Sequence, residues 1–196
     1  MLILASASPR RQELLRNAGI KFVVQAADID ETPLANESPQ NCVERLARDK
    51  ALAIFQSRPQ DYVLGADTIV VVDDKILGKP RDAAAAGSML RLLSGCTHKV
   101  FTGVCLVAPS MRNFESNPDG REAITVSETT LVTMCKISDE EIRDYVATGE
   151  PMDKAGAYAI QGIASRWIGS IEGDYSNVVG LPVARVYAML REHGAI

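Results

Sequence analysis

The run Tyr62–Val72, YVLGADTIVVV, constrains this chain more than any other segment. Its Val, Ile, Leu and Tyr content reads as a strand. Asp73-Asp74 then makes a plausible tight turn, and Lys75–Leu77 a returning strand. A carboxylate in the middle of so apolar a strand is costly unless it is paired, hydrogen-bonded or bound to metal. Asp67 is therefore the first residue that a purely structural reading leaves unexplained. Gly65 and Ala66 beside it leave room for a ligand to approach. Thr68 adds a hydroxyl that points to the opposite face if the strand is regular.

Around this run, helix and strand signals alternate. Residues 2–5 read as a buried strand. Ser8-Pro9 opens a helix, with Leu14, Leu15 and Ala18 as its apolar side and Gly19 as its stop. Residues 20–24 read as a strand, and 28–38 (DIDETPLANES) as a loop. Ser38-Pro39 opens a second helix to about Phe55, and Asp82 caps a third through Leu93. Strands are expected over 100–107 and 123–134, separated by a polar loop over 109–120. In the second of these, Ile124, Val126, Thr130, Val132 and Met134 share a face. Ser138 with Glu141 forms a capping box. Residues 150–164 read as an irregular connection, 167–171 as a strand and 182–193 as a last helix. This predicts an α/β protein with a mixed β-sheet and flanking helices. With 196 residues, no repeat and no marked linker, residues 1–196 read as a single domain.

Composition excludes several functions. Lys+Arg is 21 and Asp+Glu 25, a net charge of −4, which is poor for broad binding of duplex nucleic acid. Cys42, Cys96, Cys105 and Cys135 have no zinc or CxxC spacing and read as buried small hydrophobes. Two His are too few for a His-based metal cluster. The opening MLILASASPRRQ is not a signal peptide, and no apolar stretch approaches the ~20 residues of a membrane helix. The expectation is a cytoplasmic protein with neither a nucleic-acid nor a membrane partner.

Three further segments join Asp67. Ser6-Ala7-Ser8-Pro9-Arg10-Arg11 lies between a strand and a helix N-terminus, where free N–H groups and the dipole favour an anion. Two Arg in that first turn suit phosphate oxygens; alternatively Ser8 is only a cap and the Arg side chains are solvated. At about 100° per residue, Lys50 falls in the stripe Val43, Leu46, Ala47, Ala51 and Ile54. An ammonium aimed there either snorkels outward or meets an anion. Gly78-Lys79-Pro80-Arg81 fixes the backbone under a mobile Lys79, which suits a phosphate or an ordinary turn. Gln161, in DKAGAYAIQG, carries both donor and acceptor groups for a base edge. Glu31 and Asp67 together could hold a divalent cation such as Mg²⁺ or orient a hydrolytic water. Metal-assisted hydrolysis of a nucleotide-like polyphosphate is the reaction this set suggests; spacing does not choose the bond or the base.

At these residues the sequence resembles the Maf family of nucleoside triphosphate pyrophosphatases. LASASPRRQELL, DETP, RLARDKA, LGADTIVV, GKPRD, LSGCTHKVFTGV, YVATGEPMDKAGAYAIQG and VVGLP carry the likeness over essentially the whole chain. The segment 109–120 is the least family-like and reads as a variable hairpin loop. The resemblance implies two lobes around a cleft, similar to inosine triphosphate pyrophosphatases. It implies cleavage of a nucleoside triphosphate to the monophosphate and pyrophosphate with Mg²⁺ or Mn²⁺, and a homodimer. The family's proton acceptor falls on Asp67, and its other polar site positions on Arg11, Glu31, Lys50 and Lys79. The residue reading adds Ser6 and Ser8 to Arg11 as expected substrate-binding positions, and Glu31 and Asp67 as the expected metal pair. The branch acting on dTTP and UTP carries Arg, Thr and Gln at three specificity positions, here Arg10, Thr68 and Gln161. A branch acting on 7-methyl-GTP tends to carry Trp, Gln and Glu there. The alternatives are that purine-directed activity and a nucleotide-responsive regulator of cell division.

Overall fold

The computed structural model describes residues 1–109 and 122–196; the expected variable loop, beyond residue 109, lies outside the described residues. The described strands are β1 (Leu2–Leu4), β2 (Val23–Val24), β3 (Tyr62–Val72), β4 (Lys75–Leu77), β5 (Thr97–Ala108), β6 (Glu122–Met134) and β7 (Ile168–Glu172). The described helices are α1 (Pro9–Asn17), α2 (Pro39–Phe55), α3 (Ala83–Leu93), α4 (Asp139–Ala147), α5 (Tyr175–Val179) and α6 (Val183–Glu192). Among the described residues the seven strands form one sheet in the order β2-β1-β3-β5-β6-β7, with β4 paired to β3. β1 runs parallel to β2 and β3, whereas β4 is antiparallel to β3 and β7 to β6. The sheet is mixed, as expected.

The helix starts follow the local chemistry. Ser8, Ser38, Asp82 and Ser138 each cap with a side-chain oxygen, and Ser138 and Glu141 complete the capping box. Asp73 and Asp74 both take positive φ, 46° and 59°. That is the backbone a two-residue hairpin needs to match strand twist, and Asp tolerates it better than most residues.

The chain divides into two compact units. The first comprises Met1–Asp67, Thr102–Ser127 and Gly180–Ile196. Alternation along β1 decides its packing. Leu2 and Leu4 join Leu15 of α1 and Val186 and Leu190 of α6 in one cluster. Ile3 and Ala5 face the other way and join Ala47, Ala51 and Ile54 of α2. The sheet of this unit thus carries helices on both faces, which is why β3 is apolar on both.

The second unit comprises Thr68–Phe101 and Glu128–Val179. Here α3 packs on α4 and on the 3-10 turn Ala155–Ala157. Thr130, Val132 and Met134 are buried on the predicted face of β6.

Four expectations are corrected. Only Val23 and Val24 of 20–24 form a strand, an exposed one at the sheet edge, while Ile20 is buried in the core cluster. Ala18 is exposed as the C-cap of α1. The connection 150–164 contains 3-10 turns, Glu150–Asp153 and Ala155–Ala157, and opens a third, Ile163–Trp167. Finally, Cys42 and Cys105 are buried, but Cys96 is half-buried and Cys135 exposed. Cys135 follows the inward Met134 at the end of β6, and strand alternation turns the next side chain outward.

Candidate active site

Strand β3 brings Asp67 into the interior of the first unit, where it is 8% exposed. Helix α2 brings Lys50. Its buried stripe includes Val43, Leu46, Ala47, Lys50, Ala51 and Ile54, the stripe that helical projection predicts. The side chain does not snorkel away from its partners. Lys50 Nζ donates to Asp67 Oδ1 at 2.6 Å and lies 2.6 Å from Glu31 Oε1. One ammonium therefore holds two carboxylates from different parts of the chain, with Asp67 and Lys50 buried and Glu31 on the exposed side. Charge-assisted contacts of this length are the strong kind. They also offset the desolvation that a lone buried charge would incur.

Close backbone packing sets this geometry. A Cβ on Gly65 would fall on the Ala47 carbonyl oxygen and lie 2.8 Å from the Ala51 nitrogen. On β5, a Cβ at Gly103 would likewise strike the Val43 carbonyl. Two glycines thus let α2 settle onto the sheet, and Lys50 reaches Asp67 because its backbone is that close.

Arg11 is also buried, 9% exposed. Its Nε donates to the Gly180 carbonyl at 2.8 Å, and its Nη1 to the Ala66 carbonyl at 2.9 Å and to Ser6 Oγ at 3.1 Å. Burial pulls its pKa below the ordinary range, and the nearby Asp67 carboxylate opposes that shift. The guanidinium braces the carbonyl of the residue just before Asp67. Ser6 Oγ additionally accepts from the Ser8 amide, and Ser8 Oγ caps the Arg11 amide. The serines predicted to touch substrate thus also shape the turn that carries Arg10 and Arg11. Arg10 is half-buried.

The first unit therefore gathers Ser6, Ser8, Arg10, Arg11, Glu31, Lys50 and Asp67. Thr68, Lys79 and Gln161 belong to the second unit. Thr68 is half-buried, and Lys79 and Gln161 are exposed.

Sequence reasoning missed a clamp on the Glu31 loop. Arg45 grips Glu37 through two contacts, Nε to Oε1 at 2.7 Å and Nη2 to Oε2 at 2.8 Å, and Nη2 also donates to the Thr32 carbonyl at 3.2 Å. The residue after Glu31 is thereby tied to α2. The Arg45 hydrogen bonds hold the Glu37 carboxyl down at about 2. Only the RLARDKA segment hinted at Arg45, and nothing local links it to Glu37.

Among the described residues, no three or more His, Cys, Asp or Glu converge as a metal cage. Carboxylate oxygens are the donor type a hard divalent cation takes; the two oxygens of Glu31 and Asp67 that converge here share the Lys50 ammonium.

A family profile described as Maf-like protein matches residues 1–193. The chain belongs to the Maf family. This Maf protein is 56% identical over 195 residues to a dTTP/UTP pyrophosphatase of Koribacter versatilis, covering 100% of the chain and 95% of that protein. It is 53% identical over 193 residues to a dTTP/UTP pyrophosphatase of Symbiobacterium thermophilum, covering 98% and 94%. A solved structure titled a HAM1 protein from Coxiella burnetii is 17% identical with a TM-score of 0.50, covering 97% of the Maf chain and 98% of that one. That likeness bears on the fold alone. No described helix of the Maf protein is long and apolar enough to cross a membrane.

Proposed function

We propose that this Maf protein hydrolyses dTTP and UTP to the monophosphate and pyrophosphate. The observation that carries the reading is the Lys50 ammonium set between the Glu31 and Asp67 carboxylates, 2.6 Å from each. The names of relatives at 53% and 56% identity over nearly the whole chain support it.

In this reading Asp67 accepts a proton from the attacking water. The water oxygen bonds to phosphorus as the anhydride P–O bond opens, and pyrophosphate leaves. Lys50 fixes the orientation of the carboxylate that takes the proton, and its charge offsets the approach of an anionic substrate to two carboxylates. Glu31 and Asp67 would hold a Mg²⁺ or Mn²⁺ ion, which supplies charge neutralisation on the phosphate oxygens when bound. Arg11, Ser6, Ser8 and Lys79 serve the phosphate chain, and Arg10 is a specificity position. Thr68 and Gln161 serve the nucleoside, where a neutral amide pairs with the carbonyl and N–H edge shared by thymine and uracil. The reading includes a cytoplasmic setting, from the cysteine usage and the absence of a signal or membrane segment in the sequence, and a homodimer, as the family resemblance implies.

Pyrophosphate release from dTTP, UTP, CTP, GTP, 7-methyl-GTP and ITP, with Mg²⁺ or Mn²⁺, tests it. Selective release from dTTP and UTP is expected. Asp67→Asn keeps the volume and removes the charge, so turnover should fall roughly 100-fold or more with the fold retained by circular dichroism. Turnover above about a tenth of wild type would remove Asp67 from the proton-accepting role. Release from 7-methyl-GTP alone would overturn the pyrimidine assignment.

A further inference from the structure

Gln161 sits on a short exposed segment, yet the backbone on both sides of it ends on one pair of side chains. Two residues before it, the Ala159 amide donates to the Tyr145 hydroxyl at 3.3 Å. Two residues after it, the Ile163 amide donates to Glu150 Oε1 at 3.1 Å and Oε2 at 3.3 Å. The Tyr145 hydroxyl in turn donates to Glu150 Oε1 at 2.8 Å. The turn itself is closed by the Gly162 amide donating to the Ala159 carbonyl at 3.0 Å.

This support rests on a rigid base. Tyr145 lies on α4, 1% exposed, with its ring edge-on to Trp167 at 5.3 Å. The Trp167 indole donates to Glu141 of the α4 capping box at 3.2 Å. Burial, and then the hydrogen bond to Glu150, push the Tyr145 hydroxyl above its ordinary pKa.

Gly162 gives an independent sign that Glu150 determines the path of this turn. Its φ is −103°, so no left-handed backbone calls for glycine there. A Cβ would fall on the Glu150 carboxylate, 2.5 Å from Cδ and 2.7 Å from Oε2. Moving that carboxylate aside would forfeit its bonds to Tyr145 and Ile163.

We propose that Glu150 and Tyr145 are positioning residues for base selectivity, which they set by holding the 159–163 turn that presents Gln161. The inference rests on the reading of Gln161 as the residue that meets the pyrimidine edge. A hydrogen-bonding group discriminates between bases only while its carrier is fixed, because a mobile amide can adapt to the wrong edge.

The test measures kcat and KM for pyrophosphate release from dTTP, CTP and GTP by the full chain with saturating Mg²⁺. The variants are Glu150→Gln, Glu150→Ala, Tyr145→Phe, Gly162→Ala and, as reference, Gln161→Ala. The ratio of dTTP to CTP in kcat/KM should fall about tenfold in Glu150→Ala and Gly162→Ala. It should fall less in Glu150→Gln, which keeps one acceptor oxygen. The loss should appear mainly as a higher KM for dTTP, because the proton-transfer groups lie in the other unit. Tyr145→Phe keeps the ring against Trp167 and removes only the hydroxyl, so it decides the matter if the Glu150 variants do not fold. A uniform fall in kcat on all three nucleotides, with unchanged ratios, would overturn the proposal. So would unchanged ratios in folded Glu150→Gln and Tyr145→Phe beside a lowered ratio in Gln161→Ala. An unchanged ratio in Gln161→Ala would instead remove the base-reading role of Gln161, and the proposal with it.

Discussion

Arg45 and Glu37 hold the Glu31 loop from a distance in sequence, beside the local hydrogen bonds from Thr32 to Asp30. Their two-pronged pair and the Arg45 bond to the Thr32 carbonyl tie the DETP segment to α2. The Glu37 carboxyl is held from its ordinary 4.5 down to about 2. A depressed carboxyl stabilises the fold above its unfolded pKa, and that stability is lost as pH falls through the folded one. Arg45→Met should therefore lower the urea midpoint by a constant amount at neutral pH. The gap from wild type should close as pH drops from 4.5 toward 2. A gap that stays constant through this range would show that the pair is not what the substitution removes. At neutral pH, turnover should fall roughly 10–100-fold, the range for losing a group that orients a metal ligand, the part proposed for Glu31.

At the scale of elements, the contact between α2 and β3 decides whether Lys50 meets Asp67. Gly65→Ala puts a methyl on the Ala47 carbonyl, and backbone cannot yield as a side-chain tip can. The helix must lift, at a cost of about 1–3 kcal/mol. A urea midpoint within error of wild type would contradict that contact. Because the lift separates Lys50 from Asp67, turnover should fall more than stability alone explains at temperatures where the variant is folded.

Much of this arrangement is legible in the chain itself. Lys50 and Asp67 stand out because each breaks a strong local pattern, a polar residue within a helical stripe and a carboxylate within an apolar strand. Both patterns have fixed periods, so the exception has an address. The Glu37–Arg45 clamp and the Tyr145–Glu150 support have no such address. Each joins a helix to a loop whose path depends on tertiary packing. Helix α5 escapes for a similar reason. Five residues carry no readable period, and its start depends on Asp174 accepting from the Ser176 amide and hydroxyl. Residue type alone places Cys135 inside, whereas strand phase turns it outward.

Strands β3, β5 and β6 each contribute residues to both compact units. The boundary in β3 falls between Asp67 and Thr68, so melting one unit frays the ladder of the other. Trp167, the chain's one tryptophan, is buried in the second unit. Its fluorescence reports that unit, while far-ultraviolet circular dichroism reports both. The two unfolding curves in urea should coincide. A separation of their midpoints would mean that the units unfold independently in spite of the shared strands.

The first core cluster closes with residues from both ends of the numbering: Leu2, Leu4 and Leu15 meet Leu181, Val186 and Leu190. A ribosome adding roughly 5–20 residues per second needs on the order of ten to thirty seconds to travel from one group to the other. During that interval Asp67 and Lys50 already exist as polymer, and β1 and α1 gain Leu64, Ala66, Val104 and Leu106 of the same cluster but still lack Leu181, Val186 and Leu190. Asp67 therefore acquires its final surroundings only when translation is almost over, because the Gly180 carbonyl that Arg11 grips, along with that of Ala66, is among the last to be made.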